Sequence, residues 1–466
     1  MSKLKSILVI SGIFSILIII TLFILHHLGI DLFLFKRSPK LTRTILDQSL
    51  ELGTQFLVNN QKPGGNFNYE YDFVARKLDQ GDSQVRQAGA LWGLSLIYQD
   101  NPSATLLPAV LKGFEFFRTH SVAPEDGRRW IAYPNNHSGR TGTAALVALS
   151  YIDFLRSEHT LESDVQRQMK AELDQLLSFL VSLRIDNGQF HASYNLHSGK
   201  GFGSPSPYFD GETLLALVKA AKYLGKGELE PLIIQSARTM HQVNIVAALQ
   251  QDPDSKISKG FYQWGSMSYF EIATSGWENT TFFGDVVIEL ADWMIDVHHT
   301  LWRTRNTAYA YEGIIHAFEL ARTRNDAAHT AKFAAVIDRG LSKLISWQVG
   351  GPLQNRYLRQ RHITDKLAVG GVMNHRKEPL LRIDVTQHQM HAIILARKYV
   401  YLKTPSLSLK IVDKPHHSEQ SEVTKCSILF LGDTSFGENY QERRGSRNIL
   451  TAKGYEYPLQ NYSSFL

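Results

Sequence analysis

The sequence predicts an all-α fold: an (α/α)6 toroid of helical hairpins, preceded by an N-terminal transmembrane helix and followed by a short, incomplete α/β segment. Three observations predict it. From Leu41 to about Tyr401, apolar residues recur at i, i+3, i+4 and i+7, the helical period. One segment type returns along that stretch: a polar or acidic start, a small residue, then an Ala/Leu-rich helix. Loops rich in Gly, Asn, Ser and Pro separate the helices, and no alternating run of strand character is long enough to compete.

Residues 1–40 read as a short cytoplasmic tail and a membrane anchor. Ser6 to Leu25 is a run of 20 residues without a charge, and about 20 helical residues span the roughly 30 Å core of a bilayer. The run is longer than a signal-peptide core, and no small-residue cleavage site follows it, so an uncleaved anchor is expected. Lys36, Arg37, Lys40 and Arg43 outnumber the basic residues ahead of the run, which taken literally keeps the large domain in the cytoplasm. A very short tail before a large domain is the signal-anchor layout instead, and on that ground the domain is expected outside.

Residues 41–401 carry the toroid. The returning segment is QVRQAGALWGLSLIY from Gln84, GRTGTAALVALSYIDFL from Gly139, FDGETLLALVKAAKYL from Phe209, AYEGIIHAFELAR from Ala310 and VTQHQMHAIILARKY from Val385. FGDVVIELADWMIDV from Phe283 is a weaker sixth copy. A helix apolar nearly all round must be buried on several sides. Most copies follow a longer amphipathic helix, as at Arg43 to Asn60 and Ala327 to Trp347. Five or six such pairs can close into a ring with the apolar members inside. An open solenoid is the alternative, but its repeats are shorter and more uniform than these. Residues 402–425, with Pro405 and Pro415, read as a linker, and 426–466 as a partial second domain.

Composition narrows the function. At 466 residues and 43% hydrophobic, the chain is no disordered or low-complexity protein. The single cysteine, Cys426, excludes an internal disulfide framework and a cysteine zinc cluster. A net charge of +6, spread along the chain, gives no basic stripe, so no nucleic-acid partner is expected. No metal or cofactor is expected in the toroid either.

Gly-rich and aromatic stretches are read as loops ahead of the inner helices: GGNFNYEYDF from Gly64, RWIAYP from Arg129, the run from Gly188 to Asp210, GFYQWGSMSYF from Gly260 and GGVMNHR from Gly370. Ring closure would gather them on one mouth, as a cleft suited to sugar rings. The pattern resembles the six-hairpin toroids of glycoside hydrolases, polysaccharide lyases and uronosyl epimerases. CSILFLGDTSFGENYQ from Cys426 resembles the start of the CapA-type capsule or poly-γ-glutamate biosynthesis domain. That resemblance makes Asp433 the match to a metal ligand, in a domain whose remaining ligands the chain lacks.

The candidate site residues follow from these positions. Catalytic candidates are Tyr208, Asp210 and Glu212 at one inner-helix start, Glu312 at another and His388 at the last. Asp210 equally fits a plain cap and Glu212 a first-turn acid. Substrate-binding candidates are Tyr71, Arg86, Arg140, Trp264, Glu278, Arg382 and Asp384; Asp285 is a weaker acid, and His391 equally fits packing. A cation at a helix start opposes the macrodipole, which points Arg86 and Arg140 at an acid, of the protein or of a polymer. The resulting expectation is a membrane-anchored toroid that binds or processes an extracellular polysaccharide or similar anionic polymer for the capsule or envelope. The alternative is a non-catalytic assembly module for a CapA-like partner.

Overall fold

The computed structural model describes residues 41–157 and 161–402. Twelve long helices fill them. They are α1 Arg43–Asn59, α2 Gln84–Asp100, α3 Leu107–Thr119, α4 Thr141–Leu155, α5 Ser163–Ser182, α6 Pro207–Tyr223, α7 Glu230–His241, α8 Lys256–Ala273, α9 Thr281–Asp292, α10 Ala308–Thr323, α11 Ala327–Ile345 and α12 Ile383–Tyr399. Odd-numbered helices are the outer members of six hairpins and even-numbered ones the inner members.

The inner helices close a ring. Each packs on the next, α2 on α4, α6, α8, α10 and α12 in turn, and α12 packs back on α2. This explains their composition. In α2 everything from Gln87 to Tyr98 is buried, and in α4 everything from Thr141 to Phe154, because inner neighbours flank each on two sides and an outer helix covers a third. Small residues permit the close approach. A β-carbon on Gly93 would lie 2.5 Å from Gln387 Cγ, so the α2–α12 seam needs glycine there. The outer helices bury one stripe each. In α1 the buried set is Leu46, Ser49, Leu50, Gly53, Phe56 and Leu57, the i, i+3, i+4, i+7 series. Each fully buried Leu or Phe contributes about 1.5–3 kcal/mol relative to an exposed one.

The loops entering the inner helices meet at one end of the ring through short strands: β1 Glu70–Asp72, β2 Lys77–Leu78, β3 Ser121–Val122, β4 Trp130–Ile131, β5 Gly139–Arg140, β6 Ser193–Tyr194, β7 Gly201–Phe202 and β8 Leu380–Arg382. They form antiparallel sheets of order β2-β1-β8, β3-β4 and β5-β6-β7. The register Glu70↔Arg382, Tyr71↔Leu381 and Asp72↔Leu380 ties the first entry loop to the last and closes the mouth.

Three expectations need correction. The stretch from Gly260 to Phe270 is no cleft loop; it is the middle of inner helix α8, buried almost throughout. Phe283 to Val297 is no inner copy. Its apolar residues Phe283, Val286, Val287 and Leu290 share one face, so α9 packs outside, on α8 and α10. Glu278 is exposed in the loop from α8 to α9, at the end of the hairpins opposite the mouth. Asp285 lies on that outer helix, paired with Arg324 at 2.6 Å. The expected anchor from Ser6 to Leu25, nearly all of the linker, Cys426, Asp433 and the CapA-like segment lie outside the described residues. Among the described residues no helix is long and apolar enough to cross a membrane.

Candidate active site

Inner-helix starts all face the mouth, so residues at similar depth in different helices meet around the axis. Glu312 is the fifth residue of α10 and His388 the sixth of α12. Glu312 is fully buried, and His388 Nδ1 lies 3.1 Å from its Oε1. Gln263 of α8 donates from Nε2 to Glu312 Oε2. His391, one turn deeper, places Nδ1 3.5 Å from Glu312 Oε2, an ion-pair distance but a poor hydrogen bond. Below Glu312, His316 Nδ1 meets the Glu312 carbonyl at 2.6 Å.

With Nδ1–H donated to Glu312, His388 is left with Nε2 as its free nitrogen; among the described residues none bonds it. The His388 side chain keeps 24% of its exposure while Glu312 has none. The carboxylate is therefore the buried end of the pair and the imidazole the end that substrate can reach. Burial alone would raise the Glu312 pKa, but the two histidines outweigh it and hold the carboxyl at about 2. Burial likewise opposes the His388 cation, and Glu312 overrides that, so the imidazole is raised above its ordinary value.

Asp384 lies one turn ahead of His388 on the same face. It receives Arg382 at 2.8 and 2.9 Å and Arg86 Nε at 3.1 Å. Arg86 also donates to the Tyr69 hydroxyl. Arg86 and Arg382 are thus held by a protein acid, and Arg86 stands as a fixed, part-exposed cation on Asp384, one turn ahead of His388. Beneath them Trp92 and Trp264 approach with ring centroids 5.5 Å apart, and Trp92 also meets His391 at 5.0 Å. Trp92 Nε1 donates to buried Asp153 at 2.8 Å, which is neutralised by Lys219 at 2.6 Å and Arg156 at 3.0 Å. These layers fill the axis beneath Glu312 and His388.

The other candidates fall elsewhere. Asp210 is buried and accepts from Gln189 Nε2 at 2.8 Å, Phe190 N at 3.0 Å and Asn244 Nδ2 at 3.2 Å. Burial pushes its pKa up to about 6, and those donors temper the rise. It fastens the entry loop and outer helix to α6. Glu212 is buried without a partner for Oε2, which lies against Gly142 of α4, and burial raises its pKa well above the ordinary carboxylate value. Tyr208 is half-buried on the first turn of α6. Arg140 donates to Ser193 Oγ at 2.8 Å and ties β5 to β6. Tyr71 is a core residue whose hydroxyl bonds Asp365, with its pKa pushed up to about 12 by burial. Trp264 is 4% exposed and stacks in the axis rather than on the rim. Gln263 carries no signal in the sequence, because the glycines, serines and aromatics around it have the composition of a loop although they form helix α8.

No protein-family profile matches the chain, and no curated protein matches it by sequence. Solved structures do. D-mannose isomerase is similar at 13% identity and a TM-score of 0.54, over 76% of this chain and 97% of that one. Cellobiose 2-epimerase from Spirochaeta thermophila is similar at 12% identity and a TM-score of 0.52, over 75% and 96%. An α-1,6-mannanase of Salegentibacter sp. is similar at 9% identity and a TM-score of 0.51, over 76% and 98%. At these identities the likeness is one of fold, and the shared fold is the six-hairpin (α/α)6 toroid.

Proposed function

We propose that the toroid is a carbohydrate-processing domain that moves a proton at a sugar carbon next to a carbonyl, the chemistry of an isomerase or epimerase. The single observation that carries this reading is the Glu312–His388 pair, in which the carboxylate is buried and the imidazole is the part-exposed member. A buried carboxylate strengthens the imidazole as a base and stabilises the imidazolium it becomes. His388 Nε2 takes the proton from the carbon, and the electron pair of the broken C–H bond forms an enediolate. Arg86, fixed by Asp384 and Tyr69, is the adjacent cation that steadies the oxygen charge. Return of the proton to the other face, or to the neighbouring carbon, gives epimer or isomer. Two of the structural relatives carry names of that chemistry, D-mannose isomerase and cellobiose 2-epimerase. A two-carboxylate hydrolysis is less well served, since Asp210 is taken up by Gln189, Phe190 and Asn244 and Glu212 is buried.

The test is incubation of the full chain with a panel of reducing mono- and disaccharides in D2O. Deuterium should enter at the carbon beside the carbonyl, and His388→Ala should abolish its entry. Chain cleavage without deuterium entry would overturn the reading.

On sequence alone we further propose that Ser6–Leu25 anchors the chain with the toroid outside the cytoplasm, serving capsule or envelope polymer synthesis. Protease added to intact cells should digest the toroid; protection until the membrane is opened would refute that orientation.

A further inference from the structure

The cations first expected to hold an acidic substrate are fixed by protein groups. Arg86 and Arg382 share Asp384, and Arg140 is bound to Ser193. A second group of cations lies elsewhere on the same mouth. An open pocket of about 480 Å³ is lined by Thr304, Arg305, His375, Lys377 and Glu378, within the size range of small-molecule sites. Its two walls are the loops that enter α10 and α12, the helices carrying Glu312 and His388. The loops are zipped together: Arg305 and His375 form a backbone bridge, and Asn306 N donates to Asn374 O at 2.7 Å. Arg305 Nη1 meets Glu378 at 2.6 Å, and among the described residues no carboxylate pairs with Lys377. Cations outnumber the one lining acid, so the pocket is positive, and Arg376 adds its charge at His375. Two residues ahead of Thr304, Trp302 is 58% exposed, the most exposed tryptophan of the described residues, and an exposed indole is a platform for a sugar face.

We propose that this pocket is the subsite for the carboxylate of an acidic sugar, so that the domain acts on a uronate-bearing saccharide. The proposal rests on the carbohydrate reading above and narrows its substrate class. Arg305 and Lys377 receive the carboxylate, Thr304 offers a hydroxyl, and Glu378 holds Arg305 in place.

The experiment measures binding, apart from turnover. D-glucuronate, D-glucose and glucose 6-phosphate are titrated into the full chain by calorimetry. Glucuronate should bind about tenfold or more tightly than glucose, and the preference should shrink with added salt. Arg305→Gln and Lys377→Gln, both at exposed loop positions, should each remove most of it, and Glu378→Gln should enlarge it. Equal binding of glucuronate and glucose, no binding of glucuronate, a preference for the phosphate, or a preference untouched by both cation variants would overturn the subsite. Deuterium entry without an acid preference overturns the subsite alone; an acid preference without deuterium entry overturns only the catalytic reading.

Discussion

Glu312→Gln is expected to lower His388-dependent proton exchange by about 10²–10⁴-fold, the usual worth of a positioned general base, and to move the His388 titration to lower pH. Burial disfavours the His388 cation, and the Glu312 charge is what offsets it. Glutamine keeps the shape and can still meet Nδ1, but it removes the charge. The imidazole then keeps the burial penalty without the compensation. A histidine-resolved NMR titration reads this without any substrate. The alternative is that Glu312 merely packs the ring; exchange and His388 pKa would then stay as in the wild type.

The same pair sets a stability window. Glu312 has a folded pKa of about 2 against an ordinary 4.5, so its contribution is present above 4.5 and lost as pH falls through the folded value. His388 is raised above 6.5, so its contribution is present below 6.5 and lost as pH rises through the folded value. Both are at full strength only between about 4.5 and 6.5. Glu312→Gln should therefore cost most stability inside that interval and less on either side.

The ring was legible where burial leaves a composition. Helices such as α4, with Ala, Leu, Val and Ser on every face, can exist only between other helices, and that reads directly from sequence. Helix α8 hid because its buried face is built differently. Its sequence Lys256 to Ala273 holds Gly260, Gly265, three serines and five aromatics, the mixture of a cleft loop. In the ring the glycines are needed because aromatics fill the space: a β-carbon on Gly265 would meet the Phe261 ring at 2.3 Å. Helix α9 misled for the converse reason, being apolar enough to pass for an inner member while its apolar residues share one face. The Glu312–His388 pair spans 76 residues. Each residue could be nominated from its place at a helix start, but nothing local says that α10 and α12 are ring neighbours. Nor does sequence show that Asp210 turns to its own loop while Glu312 turns to the axis.

Gly370→Ala should be the most damaging small substitution in the described residues, because it strikes where the ring closes. The last entry loop is stitched to α1 of the first hairpin. Gln348 Nε2 donates to Ser49 O at 2.9 Å and to Gly370 O at 3.0 Å, Ser49 Oγ donates to Gln348 Oε1 at 2.6 Å, and Asn60 Nδ2 donates to Leu367 O at 3.1 Å. Gly370 sits at φ +89°, and a β-carbon there would lie 1.8 Å from the Leu52 carbonyl oxygen. Backbone cannot rotate away as a side chain can, so either α1 or the loop must move. The left-handed conformation costs alanine about 1–2 kcal/mol, and forced displacement in a packed region about 1–3 kcal/mol more. Gly203 separates the two. It has φ +81° with nothing within 4 Å of a β-carbon, so Gly203→Ala carries the conformational cost alone. Denaturant midpoints should show Gly370→Ala losing clearly more than Gly203→Ala. Activity should fall as well, because the displaced loop runs into Val372, whose N–H bonds Thr386 Oγ1 at 3.0 Å, two residues before His388. Equal losses for the two variants would mean that the seam between first and last hairpins yields freely, and a mouth closed by that seam could not hold His388 against Glu312.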